Sequence, residues 1–448
     1  MRTPICDFVE KYAAEHPLRL HMPGHKGSGI PEKMDITEIT GAGALYPASG
    51  IIRESEEEAT RLFDSGRTFY SAEGSSLCIR AMLYLVRLYA EETGRPPVIL
   101  AGRNAHRAFW TGAALLDFRV ECLKGESLLT CRPTGEELAA ALDGRTEKPA
   151  AVYLTSPDYL GYRGDVAGAA AVCRARGVPL LVDNAHGAYL KWIPGGQHPL
   201  EAGADLVCDS AHKTLPVLTG GAYLHAGRQA PALFRDQAER ALGMFASTSP
   251  SWLILQSLDR CNALLGGELP ARFRTMARET DAMKERLAAA GYRIANLGAA
   301  PEKTDPLKIT IFPKERGYTG DELHALLRQG GMECEFSDPD CLVMMVSPAT
   351  GREGLCRAEQ ALERIPPRAP IPERPPEIPP AERAFSLREA MLRPAEEVPV
   401  EQSLGRVLAD ACVSCPPAVP ILTGGERMNE VALRCFRYYG ISAVRCLR

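Results

Sequence analysis

No apolar run in this sequence is long enough to cross a membrane, since charges break the longest ones well short of the roughly 20 residues a bilayer helix needs. The opening segment MRTPICDFVEKYAAEHP mixes acids with bases and has no uninterrupted apolar core, which argues against a secretory leader and for a cytoplasmic protein. A dominant charge is also missing. Lys and Arg number 52 against 56 Asp and Glu, a net of -4, so composition gives no reason to expect nucleic acid or an anionic membrane as partner. Cysteine is not scarce, but the 14 thiols are scattered along the chain rather than packed into a short scaffold, and they read as reduced. What they lack is metal-ligand spacing. The one CxxC, Cys412 and Cys415, has no second pair, and no histidine follows His324, so no metal is expected. No internal repeat is visible.

What is present is a chain of 448 residues, 45% hydrophobic and 24% charged, long enough for two or three globular domains. The stretch up to about Tyr70 contains HMPGHKGSG and few periodic segments, and it reads as an arm and loops rather than core. Helical periodicity begins at Ser76–Thr93. Short apolar strands then alternate with helices: Val98–Ala101, Ala150–Thr155, Val178–Asp183 and Leu206–Cys208. Such continuous apolar strands indicate a mainly parallel α/β sheet covered on both faces, with ligands outside the carboxyl ends of the strands. A long helix over Ala271–Ala290, the strands Leu307–Pro313 and Cys341–Ser347, and a capping box at Thr319 and Glu322 predict a smaller α+β unit. The proline-rich run IPPRAPIPERPPEIPP predicts an extended linker before a final tail.

Four segments of this frame carry chemistry. Gly74, Ser75 and Ser76 open the first long helix, where unpaired amides and hydroxyls suit a phosphate. His106 follows a strand by a few residues. Asp183 ends a buried strand, where a carboxylate needs a cation or several donors, and His186 lies three residues on. Ser210, His212 and Lys213 follow the next strand in DSAHKTLP. Each feature has an ordinary structural explanation: an N-cap, a satisfied histidine, an aspartate bonded to loop amides. Taken together and in this order they suggest pyridoxal 5'-phosphate, with a lysine to form the Schiff base and an aspartate to keep the ring nitrogen protonated.

The motifs HMPGHKG, RNAH, TSPDYLG, DNAHGAY, SAHKTLPVLTGGA and STSPSWLILQSLD, followed by SLREAM, PPAVP and GGE, resemble the Orn/Lys/Arg decarboxylases in kind and order. That resemblance implies an aspartate aminotransferase-like, fold type I α/β architecture in its short form, without an N-terminal wing. Its expected parts are an arm (residues 1–30), a large cofactor-binding domain (31–265), a small α+β domain (266–364), a linker (365–381) and a C-terminal α+β domain (382–448). It also implies that Lys213 joins the cofactor, that Asp183 faces the ring nitrogen and that His106 stacks on the ring. Gly74, Ser75, Ser76, Ser210 and His212 would surround the phosphate, with Thr155, Ser156 and His186 near the ring hydroxyl. Thr248, in the run to Ser251, would reach the second subunit of a homodimer that shares its sites and that could assemble further. The expected reaction is decarboxylation of arginine, lysine or ornithine to an amine that feeds polyamine synthesis. Glu38 and Glu426 are the candidates to meet the substrate's distal cation.

The sequence departs from the family's pattern in places. GAGALYP (Gly41–Pro47) stands where acids are usual, Glu73 precedes the phosphate loop in place of asparagine, Asn184 follows Asp183, and the tail turn is Cys415–Pro416–Pro417. Glu73 would repel a phosphate unless it turns away or pairs with a base such as Arg80. An aminotransferase or other lyase on this fold, and a catalytically weak cofactor-binding homologue, are therefore carried as alternatives.

Overall fold

The computed structural model describes residues 18–20, 43–195, 197–414 and 419–448. Glu38, Cys415 and nearly all of the expected arm lie outside the described residues. Strand β1 (Leu18–Leu20) comes first, followed by β2 (Arg67–Ser71), β3 (Val98–Gly102), β4 (Arg119–Leu123), β5 (Ala151–Thr155), β6 (Leu180–Asp183), β7 (Leu206–Asp209) and β8 (Ala222–Ala226). The last seven form one sheet in the order β2-β8-β7-β6-β5-β3-β4. Strands β7, β6, β5, β3 and β4 run parallel, while β8 is antiparallel to both of its neighbours.

Alternation along these strands explains their apolar sequences. Ile99, Tyr153, Leu181 and Leu206 point to one face and join a core with Ile79, Met82, Leu83 and Val86 of helix α2 (Gly74–Thr93) and with Phe109 of α3 (Arg107–Leu115). Leu100, Val152, Val182 and Val207 point to the other, against Leu138 of α4 (Gly135–Asp143) and Val166 and Ala169 of α5 (Val166–Arg176). Both faces are buried, so no position along these strands favours a polar residue.

One expectation is corrected here. Before Tyr70 the chain contains helix α1 (Gly50–Phe63) as well as β2, and Ile52, Ala59 and Phe63 are buried in the largest apolar cluster. From Gly50 onward the segment is core, not loop.

That cluster continues into a second unit. The helix Leu269–Ala289 leads to β9 (Arg293–Ile294), β10 (Lys308–Phe312), β11 (Met332–Cys334), β12 (Phe336–Ser337) and β13 (Leu342–Met345). Four of these form the antiparallel sheet β12-β13-β10-β9, and β1 pairs in parallel with β11. The helix Gly320–Gln329 opens on a capping box in which the Thr319 hydroxyl accepts from the Glu322 amide. Residues 366–382 have no regular element, but their amides reach back to this unit, Ile371 donating to the Lys314 carbonyl. Two small hairpin-like pairings and the amphipathic helix Glu430–Tyr438 close the chain. Among the described residues no helix is long and apolar enough to cross a membrane.

Candidate active site

The carboxyl ends of β3, β5, β6 and β7 and the start of α2 converge on a cavity of about 210 Å³, whose lining includes Ser75, Asn104, His106, Thr155, Asp183, His186 and Lys213. Each side chain arrives there because a parallel strand runs out into a loop at the same sheet edge. Asp183 is the last residue of β6 and is 2% exposed. Its carboxylate accepts from the Tyr153 hydroxyl (3.1 Å) and the Ala185 amide (3.1 Å). His106 caps α3, its Nδ1 accepting from the Ala108 amide at 3.1 Å, with its ring at the rim.

At the start of α2, Ser210 Oγ donates to Ser75 Oγ at 2.6 Å. Gly74 adopts φ +71°, and a Cβ there would meet nothing within 4 Å, so the approach to the first helical amides is open. A helix of 20 residues presents its positive end at this point. Ser76 is half-buried in the same turn. Glu73 turns toward the loop after residue 246, where its carboxylate accepts from the Ser247 amide at 2.6 Å. Thr248 is exposed in that loop.

Lys213 Nζ lies 3.0 Å from His186 Nε2. Burial pulls the Lys213 ammonium below its ordinary pKa, and Asp183 opposes that shift. On the other side of the imidazole, His186 Nδ1 lies 2.7 Å from Nζ of Lys308, the first residue of β10. Burial, with Lys213 and Lys308 beside it, holds His186 well below its usual pKa. In the strand LKITIFP, Lys308 is one of two polar residues, with Thr310, and looks like an ordinary edge position. The available signal was its place at the very start of a buried strand, two residues after a proline.

The other expected residues stand nearby or apart. Ser156 Oγ accepts from the Gly164 amide (3.2 Å), beside the cavity rather than in its lining. His212 Nδ1 meets the Gly221 carbonyl at 3.1 Å. Glu426 is 1% exposed and outside the lining, its oxygens engaged by Arg103 (3.3 Å), Arg383 (3.2 Å) and the Thr423 amide (2.8 Å). In this chain it is not a carboxylate left open for a substrate's cation.

Behind Lys213, Asp209 ends β7 with a carboxylate that accepts from Asn184 (2.6 Å), His198 Nε2 (3.0 Å) and His225 Nε2 (3.1 Å). Burial raises its carboxyl pKa, but the two histidines outweigh that and hold it below the ordinary range. The cluster has the ligand types of a metal site, yet its bonds account for the atoms without one. His198 Nδ1 accepts from the Leu200 amide, which puts its proton on Nε2, toward Asp209. Asn184, one of the departures noted above, thus serves as an anchor for the strand that carries Lys213.

The lining suits pyridoxal phosphate. Among the described residues Thr155 Oγ1 and both polar atoms of the Asn104 side chain are buried without a partner, and both residues line the cavity, so polar groups are left for a ligand to satisfy. Around them stand an anion site, a fixed carboxylate, a rim imidazole and an amine of lowered basicity. Asn104 lies within the RNAH motif, where an asparagine in a loop carries no signal of its own.

The family model described as Orn/Lys/Arg decarboxylase, major domain, matches residues 135–291, and that for the C-terminal domain of the same family matches residues 376–443. An arginine decarboxylase of Bacillus subtilis is 28% identical over 465 residues, covering 96% of this chain and 91% of that protein. One from Halalkalibacterium halodurans is 28% identical over 473 residues, covering 97% and 93%. Among solved structures, the lysine decarboxylase of Francisella novicida superposes with a TM-score of 0.74 at 16% identity, over 91% of this chain and 73% of that one. An E. coli lysine decarboxylase gives 0.71 at 18%, over 93% and 75%. At such identities these structures speak for the fold.

Proposed function

The chain belongs to the Orn/Lys/Arg decarboxylase family, and from that premise we propose that it decarboxylates a basic amino acid, with pyridoxal phosphate held in the cavity around Lys213. The observation that carries this reading is the meeting of Lys213, Asp183, His106 and Ser75 at one sheet edge. When bound, the cofactor supplies a protonated pyridine ring that takes up the electron pair left on Cα as CO₂ departs. The protein's own groups do the rest. The α2 amides with Ser75 and Ser210 would hold the phosphate, and Asp183 would keep the ring nitrogen protonated with a carboxylate fixed by Tyr153 and Ala185. His106 would cover one face of the ring from the rim. Lys213 would supply a neutral amine, in line with its lowered basicity.

Arginine, lysine and ornithine are the substrates to be tried, since relatives carry arginine or lysine in their names. The exposed loop with Thr248 fits a role at the site of a second subunit in a homodimer. Purified protein given pyridoxal phosphate should develop a visible absorbance band and release the amine of one of the three amino acids. Lys213→Ala should abolish the band and lower amine formation by about 1,000-fold or more. A wild-type protein that never develops the band would sink the proposal, as would one that accumulates a keto acid without CO₂.

A further inference from the structure

A neutral imidazole has one N–H and one lone pair, but His186 has a lysine nitrogen against each ring atom: Lys308 at Nδ1 (2.7 Å) and Lys213 at Nε2 (3.0 Å). Two ammonium groups cannot both donate to it. Whichever lysine faces the N–H must accept, so it must be the uncharged amine. The three side chains are therefore read as one unit, and their surroundings decide the order.

Lys308 is surrounded by acceptors. Its Nζ donates to the Asp158 carbonyl at 3.1 Å, and the Asp305 carboxylate stands 3.9 Å away. It also lies 5.5 Å from the centre of the Tyr159 ring, whose face favours a cation. With His186 Nδ1, these contacts fit three N–H donors and a positive charge. Lys213 has fewer fixed acceptors: among the described residues its nitrogen meets His186 Nε2, with the Asp183 carboxylate nearby. Other charged or titratable groups around the trio are the Asp158 carboxylate, Cys208, Glu335, His106 and His212; burial, with Lys213 nearby, lowers Lys308 to about 8, which leaves it a cation at neutral pH.

We propose that Lys308 is a positioning residue: as the ammonium, it donates to His186 Nδ1, which fixes the imidazole proton on Nε2 and makes Lys213 the accepting, uncharged amine. Lys308 is not itself in the cavity lining, which it meets from behind through His186 and Asp158. It acts through the histidine, and it does so from the second structural unit, since β10 belongs to the small sheet while Lys213 follows β7. The inference rests on Lys213 being the cofactor lysine, and it concerns the state of that amine before any cofactor arrives.

The test uses the full-length protein without cofactor. Nitrogen-15 NMR of histidine-labelled protein at pH 7, with the His186 signal assigned by its loss in His186→Gln, should show the Nε2–H tautomer. Reductive methylation by formaldehyde, followed at Lys213 by mass spectrometry against pH, should have its midpoint well below that of a free lysine. In Lys308→Met the tautomer preference should disappear and the midpoint should rise by about one pH unit or more. Lys308→Arg, which keeps a charged donor, should restore both. An Nδ1–H tautomer in the wild type would overturn the proposal even if no Lys308 variant folds, as would a Lys308→Met protein that keeps both wild-type values. None of these readouts depends on turnover. A protein that decarboxylates nothing but shows the expected tautomer refutes the proposed function and leaves this inference standing.

Discussion

Glu56 is a carboxylic acid enclosed by protein, with Oε1 accepting from the Tyr70 amide at 2.9 Å and Oε2 without a partner. Burial raises its pKa to about 8, and the Tyr70 amide and Arg67 only partly oppose this. In the unfolded chain the same group ionises near pH 4.3. Between those values the folded state holds a proton that the unfolded state has released, so stability falls as pH rises through that interval. Glu56→Gln removes the titration. We expect it to raise stability by about 1–3 kcal/mol at pH 8 and to change little at pH 4, as read by chemical denaturation at both. Equal effects at the two pH values would show that Glu56 is ionised in the fold. His186 works in the opposite sense, at the acid end. It is neutral in the fold but free to take a proton near pH 6.5 once unfolded, so its contribution is present above that value and fades as pH falls.

At the scale of elements, the bond from the Ser247 amide to Glu73 ties the loop bearing Thr248 to the N-terminus of α2. Glu73→Ala should leave the helix intact, since Glu73 makes no side-chain cap, while the amides of residues 247–249 exchange about tenfold faster, which hydrogen-exchange mass spectrometry would report. Unchanged exchange would mean that the loop is held by something else. Glu73 thus resolves a tension raised by the sequence, because an acid beside an anion site is tolerable when it faces away. The parallel strands were readable as apolar runs for a plain reason: both their faces are buried. Helix α1 was not readable because its inward stripe, Ile52, Ser55, Glu56, Ala59 and Phe63, includes a serine and a glutamate. Two of the five stripe positions therefore carry no apolar signal. Asp183, Ser210 and Lys213 stand out because Asp183 ends such a strand, Ser210 directly follows one and Lys213 lies four residues beyond its end. Lys308 does not, because its role comes from a contact between units that no local pattern encodes.

On the scale of the whole molecule, the C-terminal residues are fastened to the large sheet through one buried ion cluster. Arg103, the residue after β3, donates to the carbonyls of Pro420 and Ile421 at 3.0 Å each and pairs with Glu426, which also meets Arg383. The neighbour of Arg103 in sequence is Asn104 of the cavity lining. Removing the carboxylate leaves Arg103 enclosed and uncompensated, so Glu426→Ala should cost about 3 kcal/mol or more, measured by chemical denaturation. It should also open the 419–426 segment to proteolysis. A variant as stable as the wild type would show that the arginine is hydrated where it lies.

The division of the lysine pair between two sheets has a consequence in time. The chain is made from its N-terminus, so Lys213 and the whole of the large sheet leave the ribosome before Lys308 has been synthesised. A nascent large sheet can fold and still lack the cation that sets its histidine, which leaves the amine in an undecided state. Competence to take up an aldehyde therefore arrives late, when β10 docks. The order of synthesis thereby delays the setting of the Lys213 amine until β10 is in place.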